Sequence, residues 1–344
     1  MKKHLILQIL FYLTILCIFT GCREAANSQT EFALGTVCTI TLYDKGTGKI
    51  YNDIFNRLRD IEQLMSVNIP GSDIDRINQA AGIEPVKVDV EVFNIIKRAL
   101  YFADLSDGAF DLTVGPLVKL WDVGRESQKT EDIRIPGREE IDNVLPLVNW
   151  HDVLLDESNK TIFLKKPGQA LDLDAIAKGY AADEAAAIIK KAGIPRAIID
   201  LGGNILVTGS KKDKSPWKVG IQNPLDSRGA YIGIVQIPEK TVVTSGVYER
   251  FFFYENTRYH HIFLPSSGYP VRNGLLSVTI ITDCSMDADA LSTAVFVLGY
   301  QKGRELIESL TGFEGIFVFE DQSIRMTQGV NFLLTDTNYR IVQN

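Results

Sequence analysis

Apolar positions along this chain recur in distinct rhythms. In residues 49–65, Ile50, Ile54, Leu58, Ile61 and Leu64 fall three or four apart, which predicts an amphipathic helix. "SVNIPGS" then breaks the pattern, Asp73 begins a short second helix, and residues 90–105 repeat the helical spacing. By contrast, "TVCTITLY" (36–43) alternates with period two and stops at "DKGTG", as a strand and turn do. The stretch 124–140 is charged and aperiodic, and reads as an exposed excursion.

Beyond about residue 150 short strands dominate, at 161–164, 170–174, 197–201, 205–209, 217–221, 231–237 and 275–283. An Ala-rich helix at 175–192 interrupts them, and helices at 288–311 follow. Helices and strands mix without regular alternation. The fold expected is therefore α+β, with largely antiparallel sheets packed against helices and two intimately associated subdomains around one cleft.

One helix carries an anomaly. "MDADALSTAVFVLG" (286–299) is an apolar helix with Asp289 and Thr293 four residues apart, on one face. Capping by Asp287 or Asp289 is the ordinary explanation for acids in a first turn. A ligand site is the other.

Composition narrows the partners. The chain has 344 residues, 45% hydrophobic, and a formal net charge of -7. That balance excludes a nucleic-acid backbone binder, and a phosphorylated ligand would need local positive charge from a helix N-terminus, a lysine or a cation. Lys2, Lys3 and His4 precede an apolar run from Leu5 to Phe19, of signal-peptide length. "FTGC" ends it, and Gly21-Cys22 resembles a bacterial lipobox, with Phe19 standing where that pattern usually has Leu. Residues 1–21 then form a signal peptide, 22–32 a polar tether lipidated at Cys22, and 33–344 the functional domain. The location expected is exported, lipid-anchored to the periplasmic face of the bacterial inner membrane.

Cys38 and Cys284 lie in apolar strand-like runs and read as unreactive core thiols, although pairing between them is open. Histidines at 4, 151, 260 and 261 are too few and too scattered for a multi-histidine zinc site. Four segments suggest chemistry. "LDLDAIAKGYAADEAA" (171–186) sets Asp172 and Asp174 before a helix whose first turns hold Lys178 and Gly179. Glycine there costs about 1 kcal/mol against alanine, which hints at close backbone approach. "IDLGGNILVTG" (199–209) is a strand broken by a diglycine. In "TSGVYERFFFYENTRYHHIFLPSSGYP" (244–270), one of the adjacent histidines faces in and one out. "DGAFD" (107–111) suits either a helix stop or a loop gripping a planar ring.

"SDGAFDLTVGPLVKLW", "LDLDAIAKGYAAD", "DLGGNILVTG", "VVTSGVYERFF", "RYHHIFLPSSGYP" and "ADALSTAVFVLG" occur in that order. Together they resemble the ApbE-type FAD:protein FMN transferases, from about Leu34 to the last strand. The resemblance implies a magnesium-dependent enzyme that moves FMN from FAD onto a Thr or Ser of a client flavoprotein and releases AMP. It implies metal ligation by Asp289, Thr293 and the backbone carbonyl of Ala175, with Ser292 beside them; such an oxygen-only set suits Mg²⁺. It implies FAD contacts at Leu34, Asn68, Ala109, Phe110, Asp111, Asp172, Lys178 and Phe263, and a general base at His261. Asn68 stands where many members have an aromatic residue, and Leu264 where the family usually has Asp. Two other readings keep the same site: a magnesium-dependent FAD pyrophosphatase giving FMN and AMP, and a non-catalytic FAD-binding lipoprotein.

Overall fold

Tyr51, Ile54, Phe55, Leu58, Ile61 and Met65 are buried along one side of helix α1 (Gly48–Met65), as their period of three to four requires. The computed structural model describes residues 27–123 and 134–343. Before and after α1 come strands β1 (Asn27–Ala33) and β2 (Thr36–Leu42), helix α2 (Asp73–Gln79) and strand β3 (Val86–Lys87). Helices α3 (Val90–Leu105), α4 (Gly115–Trp121) and α5 (Arg138–Val144) precede strands β4 (Val153–Asp156) and β5 (Thr161–Leu164). Helix α6 (Asp174–Lys191) leads to β6 (Ala197–Leu201), β7 (Asn204–Thr208), β8 (Trp217–Gln222), β9 (Tyr231–Ile237) and β10 (Thr241–Gly246). Next are β11 (Phe251–Tyr254), β12 (Thr257–His260), β13 (Leu275–Thr282), α7 (Ser285–Leu298) and α8 (Tyr300–Ser309). Strands β14 (Glu314–Phe319), β15 (Ser323–Met326), β16 (Phe332–Leu334) and β17 (Arg340–Ile341) finish the chain.

Nine strands form one sheet in the order β1-β2-β6-β7-β10-β13-β14-β15-β17. Its neighbours are antiparallel except β15 and β17. Two three-stranded sheets, β16-β9-β8 and β3-β5-β4, and the β11–β12 hairpin complete the α+β fold. All eight residues of β13 are buried, and so is most of α7, from Ser285 to Val297. A helix apolar on every side belongs inside. One core runs through these elements, and a small aromatic core of Leu117, Trp121, Ile141, Phe252 and Phe263 sits beside it.

Three expectations change, and the reading of the two cysteines holds. The ordered domain starts at Asn27 rather than residue 33, because 27–32 pairs with β2 from Asn27↔Leu42 to Ala33↔Thr36. Its polar composition suits an edge strand: Ser28–Thr41 and Thr30–Thr39 hydroxyl pairs lie at 3.0 and 2.9 Å. Residues 171–173 form no strand, because Leu171 and Asp172 bond to Asn78 and to the Leu112 carbonyl. The excursion at 124–140 ends in α5, whose Ile141 is buried; residues 124–133 lie outside the described residues, as do the signal segment and Cys22. Cys38 and Cys284 are both free; burial pushes their thiols up to about 11 and about 12, so they are inert.

Candidate active site

Helices α6 and α7 cross with almost no gap at Gly179. A Cβ there would collide with the Ser285 carbonyl oxygen and stand 2.7 Å from Met286 Cα. The same approach lets Asp289 Oδ2 accept the Gly179 N–H at 2.9 Å. In a regular helix that N–H serves the carbonyl four residues back, which is Ala175. The Asp289 carboxylate therefore stands at the turn of α6 that Ala175 begins.

Asp289 is not the cap. The first N–H groups of α7 are taken by Asp183 of α6, which accepts from Ser285 and Met286 at 2.9 Å each. Asp287 forms a bidentate pair with Arg98 at 2.8 and 2.6 Å. Both acids expected as caps are thus employed elsewhere, and Asp289 is left facing α6. Burial raises its pKa, against the lowering effects of Lys178, the Gly179 N–H and Asn204. Asn204 is itself buried, its Nδ2 near enough to Asp289 to lower that carboxyl but short of a full hydrogen bond. A buried carboxylate compensated this thinly favours a nearby cation.

Thr293 Oγ1 lies 3.1 Å from Ser245 Oγ, which lies 2.8 Å from Ser292 Oγ. Ser292 in turn donates to the Asp289 carbonyl at 2.9 Å and is fully buried. Its hydroxyl is spent on bracing the helix, so Thr293 is the more available oxygen. One carboxylate, one hydroxyl and one carbonyl make a hard-oxygen set that fits Mg²⁺. Among the described residues no group of three His, Cys, Asp or Glu gathers to hold a metal, at this point or elsewhere.

A charged cluster borders this point. Arg250 Nη2 donates to Asp174 Oδ2 at 2.7 Å, and Lys178 Nζ donates to the Asp174 carbonyl at 2.6 Å. Burial alone would raise Asp174, but Lys178 and Arg250 outweigh it and hold the carboxyl down. Asp172 moves up instead, by burial and by the charge of Asp174. His261 Nδ1 lies 3.2 Å from the Arg250 carbonyl, which can only accept, so the proton sits on Nδ1 and Nε2 keeps its lone pair. Burial, with Arg250 second, pushes His261 down to about 3. Its neighbour His260 is buried, with Nε2 donating to Val271 O at 2.9 Å and Nδ1 accepting from Ile262 N at 3.2 Å. One histidine faces in and one remains partly open, as alternation predicted.

The other expected contacts fall around the cleft in different ways. Leu34 has φ 53° and Gly35 φ 67° in the two-residue turn joining β1 to β2. The Gly202-Gly203 hairpin turn lies against it, with Gly202 N donating to Val37 O at 3.1 Å. Asn204 follows directly, which links this turn to Asp289. Ala109, Phe110 and Asp111 lie in the stop of α3, where Gly108 (φ 76°) donates to Ala103 O at 2.8 Å. Asp172 N donates to Leu112 O at 2.8 Å, tying that loop to the cluster. The Asp111 carboxylate is occupied by Thr113 N, Thr113 Oγ1 and Trp150 N. The rings of Phe110 and Phe263 are buried, the latter 6.0 Å from Trp121. Asn68 is exposed in the turn after α1, its N–H donating to Ser66 Oγ at 3.2 Å. Where the family has Asp, the backbone of Leu264 holds the "PSSG" turn, its carbonyl accepting from Ser267 and Gly268.

Four participants escaped the sequence reading: Asp183, Asn204, Ser245 and Arg250. Asp183 stands one turn beyond Gly179 on α6, so the close crossing that Gly179 signals was also the clue to it. The other three lie on β7, on β10 and just before β11, and no spacing in the chain relates them.

Residues 34–317 match the ApbE family. The FAD:protein FMN transferase of Klebsiella pneumoniae (strain 342) is 35% identical, covering 92% of this chain and 96% of its own. That of Treponema pallidum (strain Nichols) is 34% identical, covering 92% of each. Among solved structures, the ApbE protein of Thermotoga maritima matches with a TM-score of 0.78 at 35% identity, covering 91% of this chain and 97% of its own. The flavin transferase ApbE of Vibrio cholerae matches at 0.76 and 27%, covering 91% and 98%.

Proposed function

This chain belongs to the ApbE family, and on that premise we propose that it is a magnesium-dependent FAD:protein FMN transferase acting on a Thr or Ser of an exported client flavoprotein. The observation that supports the reading is the Asp289–Gly179 contact, which sets a buried carboxylate against the first turns of α6 beside Lys178, with Arg250 bound to Asp174 of the same turn and His261 bound to Arg250.

In the reaction the acceptor hydroxyl oxygen bonds to the phosphorus on the FMN side of the pyrophosphate. The bond from that phosphorus to the bridging oxygen breaks, and AMP leaves with that oxygen and its charge. The hydroxyl proton passes to His261 Nε2, whose lone pair is free because Nδ1 is committed to the Arg250 carbonyl. An arriving pyrophosphate raises the proton affinity of His261 by placing negative charge nearby. Lys178 and Arg250 oppose the same charge and position the ligand. Asp289, Thr293 and the Ala175 carbonyl would hold Mg²⁺, which when bound supplies further positive charge against the phosphates.

The deciding experiment incubates the protein with FAD, MgCl₂ and the membrane fraction of a strain lacking its gene, and weighs every product. Transfer gives AMP and a protein heavier by FMN. Free FMN with AMP and no labelled protein would replace transferase with pyrophosphatase, and intact FAD would leave a flavin-binding lipoprotein.

The lipid anchor at Cys22 and the periplasmic location belong to the same proposal, supported by the basic start, the apolar run and "FTGC". No helix among the described residues is long and apolar enough to cross a membrane. Cys22→Ala should move the protein from the membrane to the soluble fraction; retention at the membrane would sink the anchor.

A further inference from the structure

Arg250 immediately precedes β11 and His261 immediately follows β12, so both roots of this hairpin stand in the reaction cleft. Cross-strand partners Phe251↔His260 and Phe253↔Arg258 share one face, and Phe252↔Tyr259 lie on the other. The second face is used by the fold: Phe252 is buried and stacks on Tyr259 at 5.5 Å, and Tyr259 stacks on Trp121 at 5.7 Å. The first is open toward the hairpin tip. Phe251 is 36% exposed and Phe253 55%.

Arg258 lies over both phenylalanine rings, 4.7 and 5.5 Å from their centroids. Among the described residues it has no carboxylate within ion-pairing distance, although the chain as a whole carries a net charge of -7. Among the described residues the hairpin pairs with no third strand. Exposed aromatics held open by an unpaired guanidinium, on an element rooted in the cleft, are the makings of a contact surface. Four residues of strand span about 13 Å, so a short client segment reaches from Phe253 to His261.

We propose that this face docks the client flavoprotein, whose acceptor region lays an apolar side chain on Phe251 and Phe253 and a carboxylate on Arg258. The inference rests on the transferase reading, since a hydrolase needs no such partner. Arg250 and His261 root the hairpin at the charged cluster, and the surface is therefore continuous with the site of reaction. A cation without a carboxylate partner selects an acidic contact over a basic one.

The test uses full-length protein, FAD, MgCl₂ and the membrane fraction named above, with in-gel flavin fluorescence reporting labelled client. In parallel, FAD affinity is titrated on each variant. Phe251→Ser/Phe253→Ser and Arg258→Glu should each slow labelling at least tenfold when client is limiting, with FAD affinity within twofold of the unaltered protein. Arg258→Lys should retain most labelling. A photo-crosslinking residue at position 253 should join the protein to the same fluorescent band. Unchanged labelling by the variants, or a crosslink to other bands, overturns the docking face. A parallel fall in FAD affinity also overturns it and assigns the hairpin to the flavin site. If the unaltered protein releases FMN and labels nothing, it is the transferase reading that fails, and the docking face falls with it.

Discussion

Asp289 of α7 accepts the backbone N–H of Gly179 of α6 at 2.9 Å, across a crossing that admits no side chain. This bond separates two roles of one carboxylate, bracing the crossing and presenting a charge.

Asp289→Asn keeps a carbonyl for the Gly179 N–H and removes the charge. It should melt within about 1 kcal/mol of the unaltered protein and release no AMP at any Mg²⁺ concentration tried. Asp289→Ala should lose activity equally and also lose about 1–3 kcal/mol, because a buried N–H is left without a partner. An active Asp289→Asn protein would exclude this carboxylate from metal binding.

Asp183 is where the cap of α7 resides. Asp183→Ala removes the acceptor of two N–H groups and should cost about 1–2 kcal/mol in chemical denaturation. FAD affinity measured well below the melting temperature should change little. Undiminished stability would show that the cap is dispensable.

Gly179→Ala tests the crossing directly. Its methyl would meet backbone rather than a flexible side chain, so the helices must part, at a cost of about 1–3 kcal/mol. Activity should fall further than stability alone accounts for, since Asp289 moves relative to Ala175. Normal melting and normal AMP release together would refute the close approach.

The histidines make stability depend on pH with a definite sign. Folding lowers His260 to about 4 and His261 to about 3, from 6.5 in both cases. Between those values the unfolded chain binds more protons, so each contribution is complete above pH 6.5 and is lost as the pH falls toward 3. The slope is at most about 1.4 kcal/mol per pH unit for each histidine. Denaturation of ligand-free His261→Gln at pH 7, 5.5 and 4.5 should show the unaltered protein losing ground to the variant on acidification. A constant difference would mean that His261 titrates normally in the folded state.

Much of this molecule was legible in the chain alone. Period-four burial marked α1 and α3, alternation marked β2, and the apolar run of α7 marked a helix inside the core, because each pattern reports which side of an element meets water. The six ordered motifs identified the family, and Gly179 signalled a close backbone approach. Other matters depend on distant segments meeting. Asp287 stood where a cap reading looked natural, yet it binds Arg98 on α3, and the cap comes from Asp183, a hundred residues away. The polar residues 27–32 read as a tether because an edge strand needs a partner backbone more than apolar side chains. Ser245, Asn204 and Arg250 join the site only through the pairing of β10 with β7 and the placing of α6 against α7. Sequence determined the elements and their chemistry, since local spacing decides burial. Tertiary structure decided what each carboxylate does, since charge and hydrogen bonding act across space and not along the chain.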